Sequence, residues 1–478
     1  MAVAHQTIER ALCVDLDGTL IRSDLLLESL MLLIKRNPLY LFLAPLWLLR
    51  GKAVLKAEIA ARVELDPEAL PYNREFLQWL TAQHAAGRSL WLCTAADEKL
   101  AARVATHLGI FRGVLASNGS ENLAGASKAA RLVEQFGRGG FDYCGNERRD
   151  VHVWREAGGA IVVQGSHRLV QQVARSVPVI EHYPRRVSVL RSTLRALRPH
   201  QWAKNALILV PLLAAHRIAD QQAQLQVFLA LVTFCLCASS VYLLNDLLDL
   251  QADRAHPRKS RRPFAAGHLS ILTGMWLVPA LLVAAVLIAM LLPPRFQLVL
   301  ATYYALTLAY SFALKGLVLI DAMALAGLYT LRIIAGAAAV SVPLSFWLLL
   351  FSVFLFLSLA LVKRFAELDS LRRQMRLKAV GRGYHVEDLP ILQSLGAAAG
   401  YLSVLVLALY INSPDIEALY RRPKVIWLLC VLMLYWVSRV WMCAQRGRMH
   451  DDPVVFALKD RVSIAIGVLA AVTVAVAV

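Results

Sequence analysis

The sequence predicts a chain in two parts, a Rossmann-like α/β domain over residues 1–190 followed by an all-α transmembrane bundle of about nine helices over residues 191–478. Three observations predict it. Apolar residues make up 58% of the 478 and charged residues only 18%, a balance too apolar for a soluble protein. The excess lies in residues 201–478, where apolar runs are separated by short basic stretches, whereas residues 1–200 mix the two kinds ordinarily. Within the first part, short β-prone runs alternate with helical stretches, as in a parallel, doubly wound sheet.

The β-prone runs are 12–17, 89–94, 113–117, 141–145 and 160–164. Between the first two, Leu25 to Leu49 is apolar but interrupted by Glu28, Lys35, Arg36 and Pro38, so it reads as a helical hairpin capping the domain at the membrane interface rather than as a span. Spanning-length runs fall at 224–243, 271–292, 296–313, 317–340, 345–362, 391–411, 425–443 and 462–478, with a shorter, Pro-broken one at 206–218. The N-terminus has no basic n-region followed by an apolar stretch, and with a cytoplasmic first domain the alternating loops that fall inside hold most of the basic residues. The expectation is a multi-pass protein of a bacterial-type inner membrane. The net charge of +18 is then a matter of topology, because the basic stretches lack the interleaved aromatics that stack on bases, which argues against a nucleic-acid partner. Seven scattered cysteines lack metal-ligand spacing and read as reduced thiols.

Asp15-Leu16-Asp17-Gly18-Thr19 follows the first apolar strand, where carboxylates would stand at the ligand crevice of a doubly wound sheet. Thr94 ends the next strand, Lys128 opens a helix, and Asp150 closes a Gly-Asn-x-x-x-Asp pattern after the strand at 141–145. This ordered set resembles the haloacid dehalogenase phosphatases over about residues 10–165. The resemblance implies Asp15 as a nucleophile forming an aspartyl-phosphate and Asp17 as the acid and then base. It implies Thr94 and Lys128 on the phosphoryl group, and Mg²⁺ held by Asp15, Asp17, Asn146 and Asp150. Asn146 stands where that family usually places an acid, which predicts a weaker metal site.

A second acidic run follows the apolar stretch ending near Leu244: Asn245, Asp246, Asp249 and Asp253, then Arg254, Arg258, Lys259, Arg261 and Arg262. On a continuous helix Asp246, Asp249 and Asp253 share one face, where mutual repulsion is relieved by a divalent cation that also takes phosphate oxygens. This run is similar to the first aspartate-rich motif of the UbiA superfamily, and residues 331–336 resemble another recurring segment. The resemblance covers about residues 195–478 and implies a bundle of about nine helices around a cavity open to lipid. Where ring-prenylating members carry a second acidic motif, this chain reads Lys363, Arg364 and Glu367.

With 198–205, 381–384 and 446–453, that difference resembles the branch making polyprenyl-phosphoryl-ribose 5-phosphate from polyprenyl phosphate and phosphoribosyl diphosphate. The resemblance implies Mg²⁺ at Asp246, Asp249 and Asp253 under the leaving diphosphate, with Asp246 and Asp249 essential to catalysis. Substrate phosphates would be held among Asn245, Arg198, Lys204, Arg254, Arg258, Lys259, Arg262, Arg332, Lys363, Arg364 and Glu367. The first domain would then remove the ribose 5-phosphate, giving a bifunctional enzyme that supplies a pentose donor to cell-envelope glycans. A homo-oligomer is compatible with the sequence. The alternatives are a prenyltransferase alkylating a small or aromatic acceptor with a polyprenyl diphosphate, and, in another class, a membrane transporter with a regulatory soluble domain.

Overall fold

The computed structural model describes residues 10–118, 121–256, 258–375, 382–413, 420–449 and 452–477. The chain divides into two compact units. The first joins the segment ending at Leu197 to Tyr242–Val278, and the second joins Arg198–Val241 to the segment from Pro279 onward. The aspartate-rich run, expected to belong with the bundle alone, thus groups with the N-terminal part.

The first unit is built on six parallel strands: β1 (Ala11–Val14), β2 (Leu90–Asp97), β3 (Gly113–Ser117), β4 (Phe141–Gly145), β5 (Gly159–Val163) and β6 (Val179–Tyr183). Their spatial order is β3-β2-β1-β4-β5-β6. Cys13 of β1 pairs with Trp91 on one side and Tyr143 on the other. The interior strands β4 and β5 are buried at every position, as expected where helices cover both faces of a parallel sheet. The strand order reverses at β1, so the crevice of the sheet opens at the carboxyl ends of β1 and its neighbours. Five of these strands coincide with the β-prone runs. The sixth, Val-Ile-Glu-His-Tyr, is a partly exposed edge strand whose polar residues hide the pattern.

Three helices stand between β1 and β2: α1 (Leu25–Arg36), α2 (Tyr40–Leu49) and α3 (Lys52–Ala60). Asp24 caps α1 by accepting the Leu27 N–H at 3.0 Å, while Lys35 and Arg36 in its last turn complement the helix dipole. Gly51, at φ +117°, allows the chain to reverse from α2 into α3. The expected hairpin is therefore a three-helix insertion, packed around Leu33, Ala44, Leu55, Ile59 and Val63.

Six helices among the described residues are long and apolar enough to cross a membrane: Gln221–Leu248, Ile271–Ala289, Ile320–Ala339, Phe346–Arg373, Val386–Ile411 and Lys424–Gln445. A seventh span results if Pro453–Lys459 and Arg461–Ala477, bent by 80°, count as one. This corrects the expected nine. Residues 206–218 give no long helix, because a 3₁₀ segment over Pro199–Leu209 passes into the five-residue helix Val210–Ala214. The helix Pro294–Phe312 has the length, but Gln297, Thr302, Tyr303, Tyr304, Thr307, Tyr310 and Ser311 dilute its apolar character. In the second unit Phe346–Arg373 packs along Leu389–Ile411 and against Ile320–Ala339. Gly336 is one point of close approach, since a Cβ there would lie 2.2 Å from the Ile208 carbonyl oxygen. The chain is a multi-pass membrane protein.

Candidate active sites

The loop after β1 turns at Gly18, whose φ of +72° favours glycine and whose missing side chain makes room for the Asn146 amide. Around that turn the first unit gathers the residues expected of its site. Lys128 Nζ donates to Asp15 Oδ1 at 2.8 Å and to the Tyr143 hydroxyl at 2.9 Å. Tyr143 in turn donates to Asp150 Oδ1 at 3.1 Å, while the other Asp150 oxygen accepts the backbone N–H groups of Asn146 and Glu147. Thr94, fully buried in β2, accepts the Ala96 N–H at 3.0 Å. Asp17 accepts the Leu25 N–H at 2.8 Å, tying the acid to the start of α1. Tyr143 was missed in the sequence because, as a strand residue in an apolar run, it reads as core.

Burial pushes the Asp15 carboxyl up to about 6 against the lowering pull of Lys128, so the group is ionised at neutral pH. Asp17 is raised well above the carboxylate range by burial and by its neighbours Asp24 and Asp15, which favours its protonated form. One ionised and one protonated carboxyl side by side is the arrangement a nucleophile and its acid partner require.

The second acidic run departs from its expected geometry. The spanning helix ends at Leu248, Asp249 leaves helical geometry at φ −103° and ψ 18°, and a short helix restarts over Leu250–Arg254. The three aspartates are therefore not one continuous helical face. Asp246 and Asp253, both buried, converge on Arg262 Nη1 at 3.0 and 2.5 Å. Asp249 instead accepts Lys35 Nζ of α1 at 2.7 Å. Arg254 is committed to the protein: it pairs with buried Glu28 of α1 and donates to the carbonyls of Ala69 and Ala265. Asn245 is half-buried, its carbonyl accepting the Asp249 N–H; Arg258 is exposed and Lys259 half-buried. Neither Glu28 nor Lys35 carried a local signal of this role, being more than 200 positions away in the chain.

Among the described residues no three His, Cys, Asp or Glu side chains form a ready metal cage. Two features nevertheless suit Mg²⁺, which keeps water and phosphate oxygens as most of its ligands. Asp246 and Asp253 already converge on one cation, and the buried Asn146 side-chain oxygen near Gly18 lacks a hydrogen-bond donor.

In the second unit, Lys204 and Lys363 meet on one carboxylate, donating to Asp452 Oδ2 at 2.8 and 2.9 Å. The Tyr329 hydroxyl donates to the other Asp452 oxygen at 2.9 Å, and the cations of Lys204 and Arg332 both lie over the Tyr329 ring. Arg332 is further fixed by Asn205 and the Tyr303 hydroxyl. Asp452 lies in the 446–453 segment that carries the sequence resemblance, where it has no assigned role; it caps Pro453–Lys459. Arg198, in the left-handed region at φ 55°, precedes the 3₁₀ segment carrying Lys204. Of the quoted segments, Gly381, His450 and Asp451 lie outside the described residues.

Arg364, next to Lys363 in the chain, has different partners. Only 1% exposed, it pairs with buried Asp321 at 2.5 Å and with Glu367 at 2.8 Å, and donates to the Tyr310 hydroxyl. Arg382 and Tyr384 complete the network on Asp321 and Glu367. Arg364→Ala would strip the main counter-charge from a buried carboxylate, so the expected loss is about 3–5 kcal/mol, read as a lowered thermal midpoint of the purified protein. An unchanged midpoint would return Arg364 to the phosphate-binding set.

Residues 207–459 match the model of the UbiA prenyltransferase family, a span holding the aspartate-rich run together with Tyr329, Arg332, Lys363 and Asp452. The chain belongs to the UbiA prenyltransferase family. Among relatives, an uncharacterized protein, y4nM, of Sinorhizobium fredii is 37% identical over 96% of this chain and 89% of its own length. The decaprenyl-phosphate phosphoribosyltransferase of Mycolicibacterium smegmatis is 33% identical over 58% of this chain and 88% of its own. A solved UbiA homolog of Archaeoglobus fulgidus bound to DMAPP and Mg²⁺ is 18% identical, covering 60% of this chain and 97% of its own with a TM-score of 0.46. At 96% of this chain, the y4nM alignment takes in much of the segment before Arg198 of this UbiA family member, whereas the family model begins at residue 207.

Proposed function

We propose that the chain is a bifunctional membrane enzyme that transfers phosphoribose from phosphoribosyl diphosphate to polyprenyl phosphate and then removes the ribose 5-phosphate. The observation that carries the transferase reading is the meeting of Lys204 and Lys363 on Asp452. Two lysines on a lone carboxylate form a phosphate-ready group that an entering anion can take over, and Lys363 stands where a second acidic motif would serve an allylic diphosphate. The phosphoribosyltransferase named among the relatives supports the same choice of substrate.

In the transfer, the ribose C1–O bond to diphosphate breaks and an oxygen of the lipid phosphate forms the new bond to C1. Mg²⁺ held by Asp246 and Asp253, with Asp249, would neutralise the departing diphosphate. Lys204 and Lys363 hold a remaining phosphate, and Arg332 orients Tyr329 beneath them. In the first unit Asp15 attacks the 5-phosphate phosphorus, Asp17 protonates the leaving ribose oxygen, and Lys128 offsets charge on the phosphoryl oxygens. Water, deprotonated by Asp17, then cleaves the aspartyl-phosphate.

The test is incubation of the full chain with Mg²⁺, polyprenyl phosphate vesicles and phosphoribosyl diphosphate, followed by mass analysis of the lipid. A polyprenyl-phosphoryl-ribose is the expected product. Lys204→Met or Lys363→Met should raise the KM for one phosphorylated substrate by roughly tenfold or more, the worth of a charge-assisted hydrogen bond. Diphosphate release only from an allylic polyprenyl diphosphate with a ring acceptor would replace this reading by prenylation.

A further inference from the structure

α2 is apolar all round, and its packed and exposed faces separate at helical spacing. Tyr40, Ala44 and Trp47, at i, i+4 and i+7, pack against α1 and α3. Leu39, Phe42, Leu46 and Leu49 run along the opposite side at 64, 72, 55 and 84% exposure, with Leu41, Leu43 and Leu48 beside them. So dense an apolar surface on ten residues is not a face a protein leaves in water. Its flanks are basic: Arg36 before it, Arg50 and Lys52 after it.

The position of α2 is fixed by what α1 touches. Lys35, five residues before α2, holds Asp249, the residue directly after the spanning helix Gln221–Leu248. Glu28, two turns earlier on the same face, holds Arg254. The end of α1 is thereby pinned where a membrane span emerges, and α2 begins at that level. At its other end α1 starts on Asp17, through the Leu25 N–H. With a rise of 1.5 Å per residue, one straight helix of about 15 Å separates the Asp15 site from the end of the span.

We propose that α2 lies in the lipid–water boundary, its Leu39–Phe42–Leu46–Leu49 face in the acyl region and its basic flanks at anionic headgroups, and so holds the Asp15 site over the membrane to act on phosphate esters carried by lipids. This rests on the phosphatase reading of that site and adds how the site is held at its lipid-linked substrate. Occupancy by lipid follows from the basic rim and from the tether to the chain's own span.

The experiment uses the full chain in phosphatidylglycerol–phosphatidylcholine vesicles. In a Cys443→Ser background, whose other cysteines are buried, a nitroxide placed through Phe42→Cys should collide with dissolved oxygen in preference to a water-soluble nickel chelate. The reverse ratio is expected for a nitroxide at exposed Thr81. In a second arm, Phe42→Asp with Leu46→Asp should slow dephosphorylation of the lipid product by about tenfold or more, the scale of a lost tethering advantage. Hydrolysis of p-nitrophenyl phosphate should stay within about twofold on the same scale. Chelate-dominated collision at position 42, an equal loss on both esters, or no loss on either overturns the proposal. A wild type that hydrolyses the soluble ester and never the lipid also overturns it, whereas a wild type that hydrolyses neither ester defeats the phosphatase reading instead, while the nitroxide ratio still tests the seat of α2.

Discussion

Asp15→Asn is expected to leave a protein that still consumes phosphoribosyl diphosphate and releases diphosphate at close to the wild-type rate, while its lipid product stays heavier by one phosphoryl group. The hydrolytic step should fall by about a thousandfold or more, the usual consequence of removing a nucleophile. Asparagine keeps the shape and leaves Lys128 an acceptor, so the site is preserved and only the attacking oxygen is lost. The wild-type step should also fade as pH drops through about 6, because Asp15 must be ionised to attack and protonates below that value. Identical phosphorylated lipid from both proteins would mean that the domain acts on something else. Identical dephosphorylated lipid would remove Asp15 from the nucleophile's role.

Asp246→Asn should abolish transfer, with diphosphate release reduced by about a hundredfold or more. The carboxylate is buried on the last turn of the spanning helix and shares Arg262 with Asp253, so the substitution removes one of the converging negative charges available to a divalent cation. Its effect is separable from misfolding by p-nitrophenyl phosphate hydrolysis in the first unit, which should persist. Near-normal diphosphate release at saturating Mg²⁺ would sink the assignment.

The carboxylates of the first unit were legible in the sequence because Asp15, Asp17 and Asp150 each follow a strand of a parallel sheet, and such ends meet in space whatever the intervening loops do. Tyr143 was not legible, since an aromatic in a buried strand looks the same whether or not its hydroxyl links Lys128 to Asp150. The spacing of Asp246, Asp249 and Asp253 misled in one respect: it assumes an unbroken helix, and aspartate competes with the backbone for hydrogen bonds and favours helix ends. Apolar runs overcounted the spans because hydrophobicity alone is blind to a 3₁₀ segment passing into a short helix and to a bend of 80°. The partition of eleven polar candidates was out of reach for a different reason. Arg254 and Arg364 look like Lys204 and Lys363 in the sequence, and only tertiary partners such as Glu28 and Asp321 separate them.

The grouping of Tyr242–Val278 with the N-terminal unit has a consequence for how this gene could be divided. A break after Leu197 would look natural by composition, yet the polypeptide upstream of it would lose Arg254, the counter-charge of a glutamate that is only 1% exposed. It would also lose Gly267, which lies so close to Arg22 that a Cβ there would meet the Arg22 Cβ at 2.5 Å. Splitting the coding sequence at that point would therefore yield a half with an uncompensated buried acid, so an N-terminal fragment needs residues 242–278 to keep its fold intact.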